Sequence, residues 1–174
     1  MGTIDEALKS NQSYATGFNL GSLPMPPARK LAIVACMDAR LTVEQLLGLK
    51  TGDAHIIRNA GGIVTEDALR SLLISHYLLG TSEFMIINHT DCGMLTFKDE
   101  DLRANLEQRT RTASVSPEQF HAFRDVDENV RRQIQKVRSH AWIPKEIPVR
   151  GFVYDVKTGR LKEVSAAALA AGRD

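Results

Sequence analysis

The sequence predicts an α/β fold with a mainly parallel central sheet flanked by helices. A C-terminal hairpin strand and an N-terminal helical arm complete it. Three observations predict this. The runs LAIVACM (31–37) and EFMIINH (83–89) have the length and unbroken apolar character of strands buried on both faces. Helical patterns lie between such runs, so successive strands need crossover connections and run parallel. The closing stretch VRGFVYDVKTGRLKEV instead puts two strand-like segments around a Lys-Thr-Gly turn, which is a hairpin.

Each element has its own justification. TIDEAL opens a short helix, with Thr3 as cap and Glu6 completing a capping box. GFNLGSLPMPPARK is rich in Gly and Pro and predicts an extended arm outside the core. After the first strand, TVEQLLGL carries a second capping box, Thr42 and Gln45. AHIIRNAGG is a short strand running into a glycine turn. TEDALRSLLISHYLLG is the most complete helix signature: Thr65 caps it, Glu66 and Asp67 suit its positive start, and Gly80 suits its end. EFMIINH is the third strand, and KDEDLRANLEQRT a solvated helix. SPEQF reads as a helix start, with Ser116 as cap, Pro117 at the first position and Gln119 completing the box. RDVDENVRRQIQKVRSH spaces Val126, Val130, Ile134 and Val137 along one helical face and leaves its basic residues to solvent. The alanine-rich end, 165–174, is expected to be a frayed tail. No repeat or linker divides the chain, so residues 1–174 read as one domain, with 1–30 as helix and Pro-rich arm.

Composition narrows the function. A chain of 174 residues buries a real core, and 43% hydrophobic with 25% charged residues is ordinary for a globular protein. A net charge of +1 gives no general nucleic-acid or anionic-membrane surface. There is no signal-peptide pattern and no apolar run of bilayer length, so a cytoplasmic location is expected. Two cysteines are too few for a disulfide scaffold.

The chemistry gathers where apolar runs stop. VACMDARL ends a strand with Cys36, then offers Asp38 and Arg40. INHTDCGM ends another with His89, then Cys92. Ligands of parallel sheets bind beyond the carboxyl ends of the strands, near a switch in strand order. If those two strands are neighbours, Cys36, His89 and Cys92 converge on a metal. Two thiolates and one imidazole suit zinc, and Cys₂His with an open fourth position is a catalytic arrangement. A closed structural zinc module that binds a partner would need a fourth permanent ligand, for which Asp38 is the one candidate. A redox or hydrolytic cysteine would need a base beside the thiol and no stoichiometric zinc. His76 lies within an apolar helix and reads as packed or at an interface. His55 begins a strand and reads as structural or exposed.

CMDAR at 36–40 followed by HTDC at 89–92 resembles the Cys-x-Asp-x-Arg…His-x-x-Cys signature of the β-class carbonic anhydrases. RNAGG, the ALRSLLIS helix and the order of elements extend the resemblance over about residues 3–164. CMDAR with HTDCGM is most similar to a short bacterial and fungal branch that also contains carbonyl sulfide hydrolases, and a related archaeal group acts on carbon disulfide. Plant-type members carry a second glycine where this chain has Met94. The resemblance implies one zinc per chain, bound by Cys36, His89 and Cys92. Asp38 would accept a hydrogen bond from zinc-bound water or hydroxide, and Arg40 would hold Asp38 off the metal. The implied reaction is hydration of CO₂ to bicarbonate. Hydrolysis of carbonyl sulfide at the same site is the alternative, with Met37, Ala39, Met94, Leu95, Ile63 and Val64 as the residues to line a sulfur pocket or else to fill the core. Gly61 and Gly62 either bring backbone amides to the substrate or simply make a tight turn. The implied assembly is a homodimer or homotetramer in which the helix and arm embrace a neighbour.

Overall fold

Alternation along β1 (Leu31–Cys36) sets the layers of the molecule. Ala32 and Val34 enter one apolar cluster, while Ile33 and Ala35 enter another on the opposite face. Both faces are covered, which is why the strand reads as a continuous apolar run. The computed structural model, which describes residues 2–113 and 116–165, sets β1 inside a five-stranded sheet. Its partners are β2 (Ala54–Asn59), β3 (Glu83–His89), β4 (Val149–Tyr154) and β5 (Leu161–Val164), in the order β2-β1-β3-β4-β5. The first four strands are parallel, and β5 returns antiparallel to β4. This is the predicted architecture.

Helices cover both faces. On one side α3 (Glu66–Leu79) and α5 (Val126–Ser139) lay Leu69, Leu72, Val130, Ile134 and Val137 over Val34, Ile86 and Val149. Thr65 caps α3 by accepting from the Ala68 amide, and Asp125 caps α5 from Glu128 at 2.7 Å. Gly151 marks how closely α5 lies on β4: a Cβ there would stand 2.3 Å from Val130 Cγ1 and 2.7 Å from Ile134 Cδ1. On the other face the short α2 (Val43–Leu47), Leu41, Met94 and Phe123 cover Ile33, Ala35 and Ile87. The polar α4 (Asp99–Thr110) and the N-terminal α1 (Thr3–Thr16) bury none of their residues. Among the described residues, no helix is long and apolar enough to cross a membrane.

Three local expectations are corrected. Thr3 does not cap the first helix. It is the first helical residue; Gly2 takes the cap position with its amide on Asp5 Oδ2 at 2.9 Å, and the helix runs on to Thr16. Thr42 stands at the cap of α2, but its hydroxyl bonds Gln45 Oε1 at 3.0 Å instead of a backbone amide. No helix starts at Ser116. The amides of Phe120, His121 and Ala122 all donate to Asp99, and the carbonyls of Pro117 and Glu118 accept from Arg103. Those tertiary bonds consume the groups a helix would need. The predicted tail lies outside the described residues from 166 onward.

Candidate metal centre

β1 and β3 are parallel neighbours, so their carboxyl ends open on the same side of the sheet. The chain leaves β1 for β2 on one flank and enters β3 on the other, which makes this the switch point of the strand order. Cys36 is the last residue of β1 and His89 the last of β3. Cys92 immediately precedes a 3-10 turn, Gly93–Leu95. The two sulfurs and a ring nitrogen lie within 4.8 Å of one another, and all three residues are buried. Among the described residues this is the one cluster of its kind.

The ring of His89 is oriented by its other nitrogen. Nδ1 is 2.8 Å from the carbonyl oxygen of Thr90. A carbonyl only accepts, so Nδ1 carries the proton and Nε2 keeps its lone pair. That Nε2 is buried with no hydrogen-bond partner among the described residues. Leaving such an atom unsatisfied costs about 1–3 kcal/mol. A bound cation removes the cost, and a second bond on the distal nitrogen is how metal-ligating histidines are held.

The two thiols do not behave as a symmetric pair. A hydrogen bond from Cys92 pulls the Cys36 thiol down against the cost of burial, helped by the neighbouring His89. Cys92, left holding the proton beside that charge and buried as well, is pushed far up. The donor types suit zinc: an ion with Zn–S about 2.3 Å and Zn–N about 2.0–2.1 Å would hold its donors roughly 3.5–3.8 Å apart, inside the 4.8 Å that bounds the three here.

Asp38 stands at the rim. Arg40 grips it with two parallel bonds, Nε to Oδ1 at 2.9 Å and a terminal nitrogen to Oδ2 at 2.8 Å. The Arg40 amide adds a third at 2.9 Å. These bonds outweigh the cost of partial burial and hold the carboxyl well below the usual range. Oδ2 lies 3.6 Å from His89 Nε2, so it faces the place where the three donors meet. Arg40 also reaches the other loop, donating to Asp91 Oδ2 at 2.8 Å and to the Asp91 carbonyl at 3.0 Å. One guanidinium thus ties the CMDAR loop to the HTDC loop.

Cys36, Asp38, Arg40, His89 and Cys92 therefore lie together at the carboxyl ends of β1 and β3. Gly61 and Gly62 form a buried turn beside them, both at positive φ, +82° and +60°. Their carbonyls accept from Asn88. A Cβ on Gly62 would stand 2.9 Å from the Cys36 nitrogen and 3.0 Å from the Ile87 oxygen, so only glycine fits. Met37 and Ala39 are exposed, while Ile63 and Met94 pack with Cys36, Cys92 and Phe123, and Val64 lies in the opposite cluster. His55 and His76 are occupied elsewhere, on Ser75 Oγ and the Thr81 carbonyl, both at 2.7 Å. Sequence reasoning missed Asp91, Asn88 and Arg58. Arg58 on β2 clamps the carbonyls of Cys36 and Asp38 at 3.1 and 2.7 Å. Asp91 lies inside a motif already singled out, whereas Arg58 needed the β1–β2 pairing to be known.

Comparison with known proteins agrees with this geometry. The family model for carbonic anhydrase matches residues 31–161. Beta-carbonic anhydrase 1 of Mycobacterium tuberculosis is 48% identical over 166 residues, covering 95% of this chain and 99% of that protein. A carbon disulfide hydrolase of Acidithiobacillus thiooxidans is 38% identical over 156 residues, covering 79% and 78%. The crystal structure of a carbonic anhydrase from Streptococcus mutans superposes with a TM-score of 0.89 at 43% identity, covering 95% and 99%.

Proposed function

This chain belongs to the β class of the carbonic anhydrase family, and on that premise we propose that it hydrates CO₂ to bicarbonate at one zinc ion held by Cys36, His89 and Cys92. The observation that carries the reading is Asp38, an ionised carboxylate locked by Arg40 with Oδ2 turned toward the three donors. Zinc, when bound, would supply the Lewis acidity that makes water a nucleophile near physiological pH.

The chain's own residues supply the rest. Asp38 accepts an O–H of the attacking water and so fixes the direction of its free lone pair. Because its pKa is depressed, Asp38 stays an acceptor and is a poor base. A free carboxylate is itself a good zinc ligand, and the two-toothed grip of Arg40 holds it off that position. Two thiolates place negative charge on the centre, which opposes forming another anion there, so activity rises toward alkaline pH. Ile63, Met94 and Phe123 pack an apolar floor beneath the cysteines, which suits a small, weakly hydrated molecule. The glycine turn brings backbone close to the centre without a side chain.

A second reading is hydrolysis of carbonyl sulfide to CO₂ and H₂S by the same residues. The similarity to a carbon disulfide hydrolase favours it. Metal analysis and paired assays on one zinc-replete preparation decide. The expected result is one zinc per chain, fast bicarbonate formation and slower H₂S release. Rapid H₂S release with weak CO₂ hydration reverses the order, and full activity without metal rejects both readings. A cytoplasmic protein and a homodimer or homotetramer complete the proposal, supported by two buried free cysteines and by a fully exposed α1.

A further inference from the structure

Arg40 is held by two loops, and the bonds within its own loop do not place it against the three donors. Two side-chain bonds join it to Asp38, two residues back. They fix the two side chains relative to each other. They leave the pair free to move as a unit relative to His89 and Cys92, which belong to β3 and the loop after it. From the β2 side, Arg58 holds only the backbone of this loop, through the Cys36 and Asp38 carbonyls. The other side of the guanidinium is taken by Asp91. Nη1 donates to Asp91 Oδ2 at 2.8 Å, and Nη2 to the Asp91 carbonyl at 3.0 Å. Four of the five guanidinium N–H groups are thus committed, divided between the two loops.

Two features of Asp91 go with this task. Its φ is +55°, in the left-handed region that a residue with a Cβ enters at a cost. Such positions persist where their surroundings hold them, and they gather at functional sites. In that conformation one residue presents both its carboxylate and its own carbonyl to one guanidinium. The second feature is exposure. The Arg40 and Asp91 side chains are 47% and 73% accessible, and ion pairs as open as this add little to folding stability. What the pair supplies is direction. Asp38 Oδ2 lies 3.6 Å from His89 Nε2, and where the guanidinium is anchored decides that approach.

We propose that Asp91 is a positioning residue for the reaction: it anchors Arg40 to the loop that carries His89 and Cys92, and so sets how far the Asp38 carboxylate stands from the metal. This rests on reading Cys36, His89 and Cys92 as zinc ligands. A carboxylate that drifts toward zinc is itself a ligand. Removing an outer partner of a metal site typically costs about 10–100-fold in affinity or activity. The grip of Arg40 on Asp38 survives the loss of Asp91, so the expected loss of turnover is about 10-fold, at the lower end.

The test uses the full-length chain loaded with zinc or with cobalt(II). Asp91→Gly frees the left-handed backbone of strain and removes the carboxylate. Asp91→Asn keeps an oxygen at the same reach and tolerates the same φ. In Asp91→Gly, zinc content and melting temperature should stay close to wild type. Its kcat for CO₂ should fall by the stated factor, and its visible cobalt bands should move toward those of Arg40→Ala. Asp91→Asn should recover turnover to within about 3-fold of wild type, because a neutral acceptor keeps roughly half the strength of a charged one. Asp91→Gly combined with Arg40→Ala should give the spectrum of Arg40→Ala by itself, since Asp91 acts through Arg40. Wild-type turnover and bands in Asp91→Gly overturn the proposal. So does zinc loss in that variant, which would make Asp91 a brace for the ligand loop, and so does a further spectral change on top of Arg40→Ala. If Asp91→Gly does not fold, Asp91→Ala decides by the same readings. A wild type that takes up no cobalt overturns the ligand assignment and this role with it. A loaded wild type that shows the expected spectra but does not hydrate CO₂ overturns the reaction and supports the role of Asp91.

Discussion

The three donors and their rim carboxylate give the sharpest expectations at the level of single residues. Cys36→Ser, His89→Ala and Cys92→Ser should each lose most of the zinc, because a tetrahedral site cannot spare a ligand of three; metal analysis after dialysis checks this. Arg40→Ala should behave differently. It removes the two side-chain bonds that hold Asp38 and the link to Asp91, leaving only the backbone amide at position 40 on the carboxylate, so Asp38 is freer to turn toward the donors. The expected protein is zinc-loaded, folded and poorly active, with a cobalt spectrum altered in the visible region. Normal turnover with an unchanged spectrum would falsify the role given to Arg40. At this scale the sequence is highly legible, because the donors of each half lie within a few residues of a strand end. What is not legible is anything that pairs across elements. Asp91 is visible in HTDC, but its partner Arg40 lies 51 residues away. Asn129 and Gln133 read as polar positions of a helix until α5 is laid against β3, where they become its buried edge.

Elements test the packing. Gly151 reads as nothing special within VRGFVY, yet the contact of α5 with β4 depends on it. Gly151→Ala puts a methyl group where Val130 and Ile134 already stand, and overpacking of this kind costs about 1–3 kcal/mol. A lowered melting temperature with zinc content intact is expected; a melting temperature equal to wild type would show that α5 can shift freely. The segment that was expected to be a helix at Ser116 makes a second test. Burial works against ionisation of Asp99, but three amide bonds, from Ala122, His121 and Phe120, outweigh it and lower the pKa. A depressed carboxyl contributes stability above its unfolded pKa and loses it as pH falls through the folded one. The docking of 120–122 should therefore be constant from neutral pH down to about 4 and fade only in stronger acid. Amide shifts of Phe120, His121 and Ala122 should titrate together, with a midpoint below that of an ordinary Asp. Midpoints above about 4 would contradict the latch. The helix signature at 116–119 failed for this reason: local capping residues were outbid by partners on α4.

The whole molecule leaves apolar surface that its own core does not explain. α1 and the arm after it expose Ile4 (78%), Leu8 (60%), Tyr14 (59%), Phe18 (50%) and Met25 (84%). Tyr14 and Phe18 pack on each other, with ring centroids 5.6 Å apart, but on little else. An isolated helix of 14 residues is marginal in water, so α1 needs something to lie on. The arm's backbone is tied to the body at its far end, where Ala28 and Arg29 donate to the carbonyls of Gly52 and Asp53 at 2.9 Å. A second apolar patch, Ile74, Tyr77 and Leu78 of α3 with Trp142, is also exposed. A second copy of the chain would cover such surfaces in both directions at once, as a symmetric dimer does. Light scattering should therefore give a mass that is a multiple of 19.2 kDa. Ile4→Asp with Leu8→Asp, which leaves the sheet and the metal ligands untouched, should reduce that mass and lower the helical circular dichroism signal as α1 melts. Zinc content should stay near one per chain, because the three donors come from β1, β3 and the loop after β3. A wild-type protein that runs at 19.2 kDa with full helicity would show that α1 is stable unaided, and the assembly would have to be abandoned.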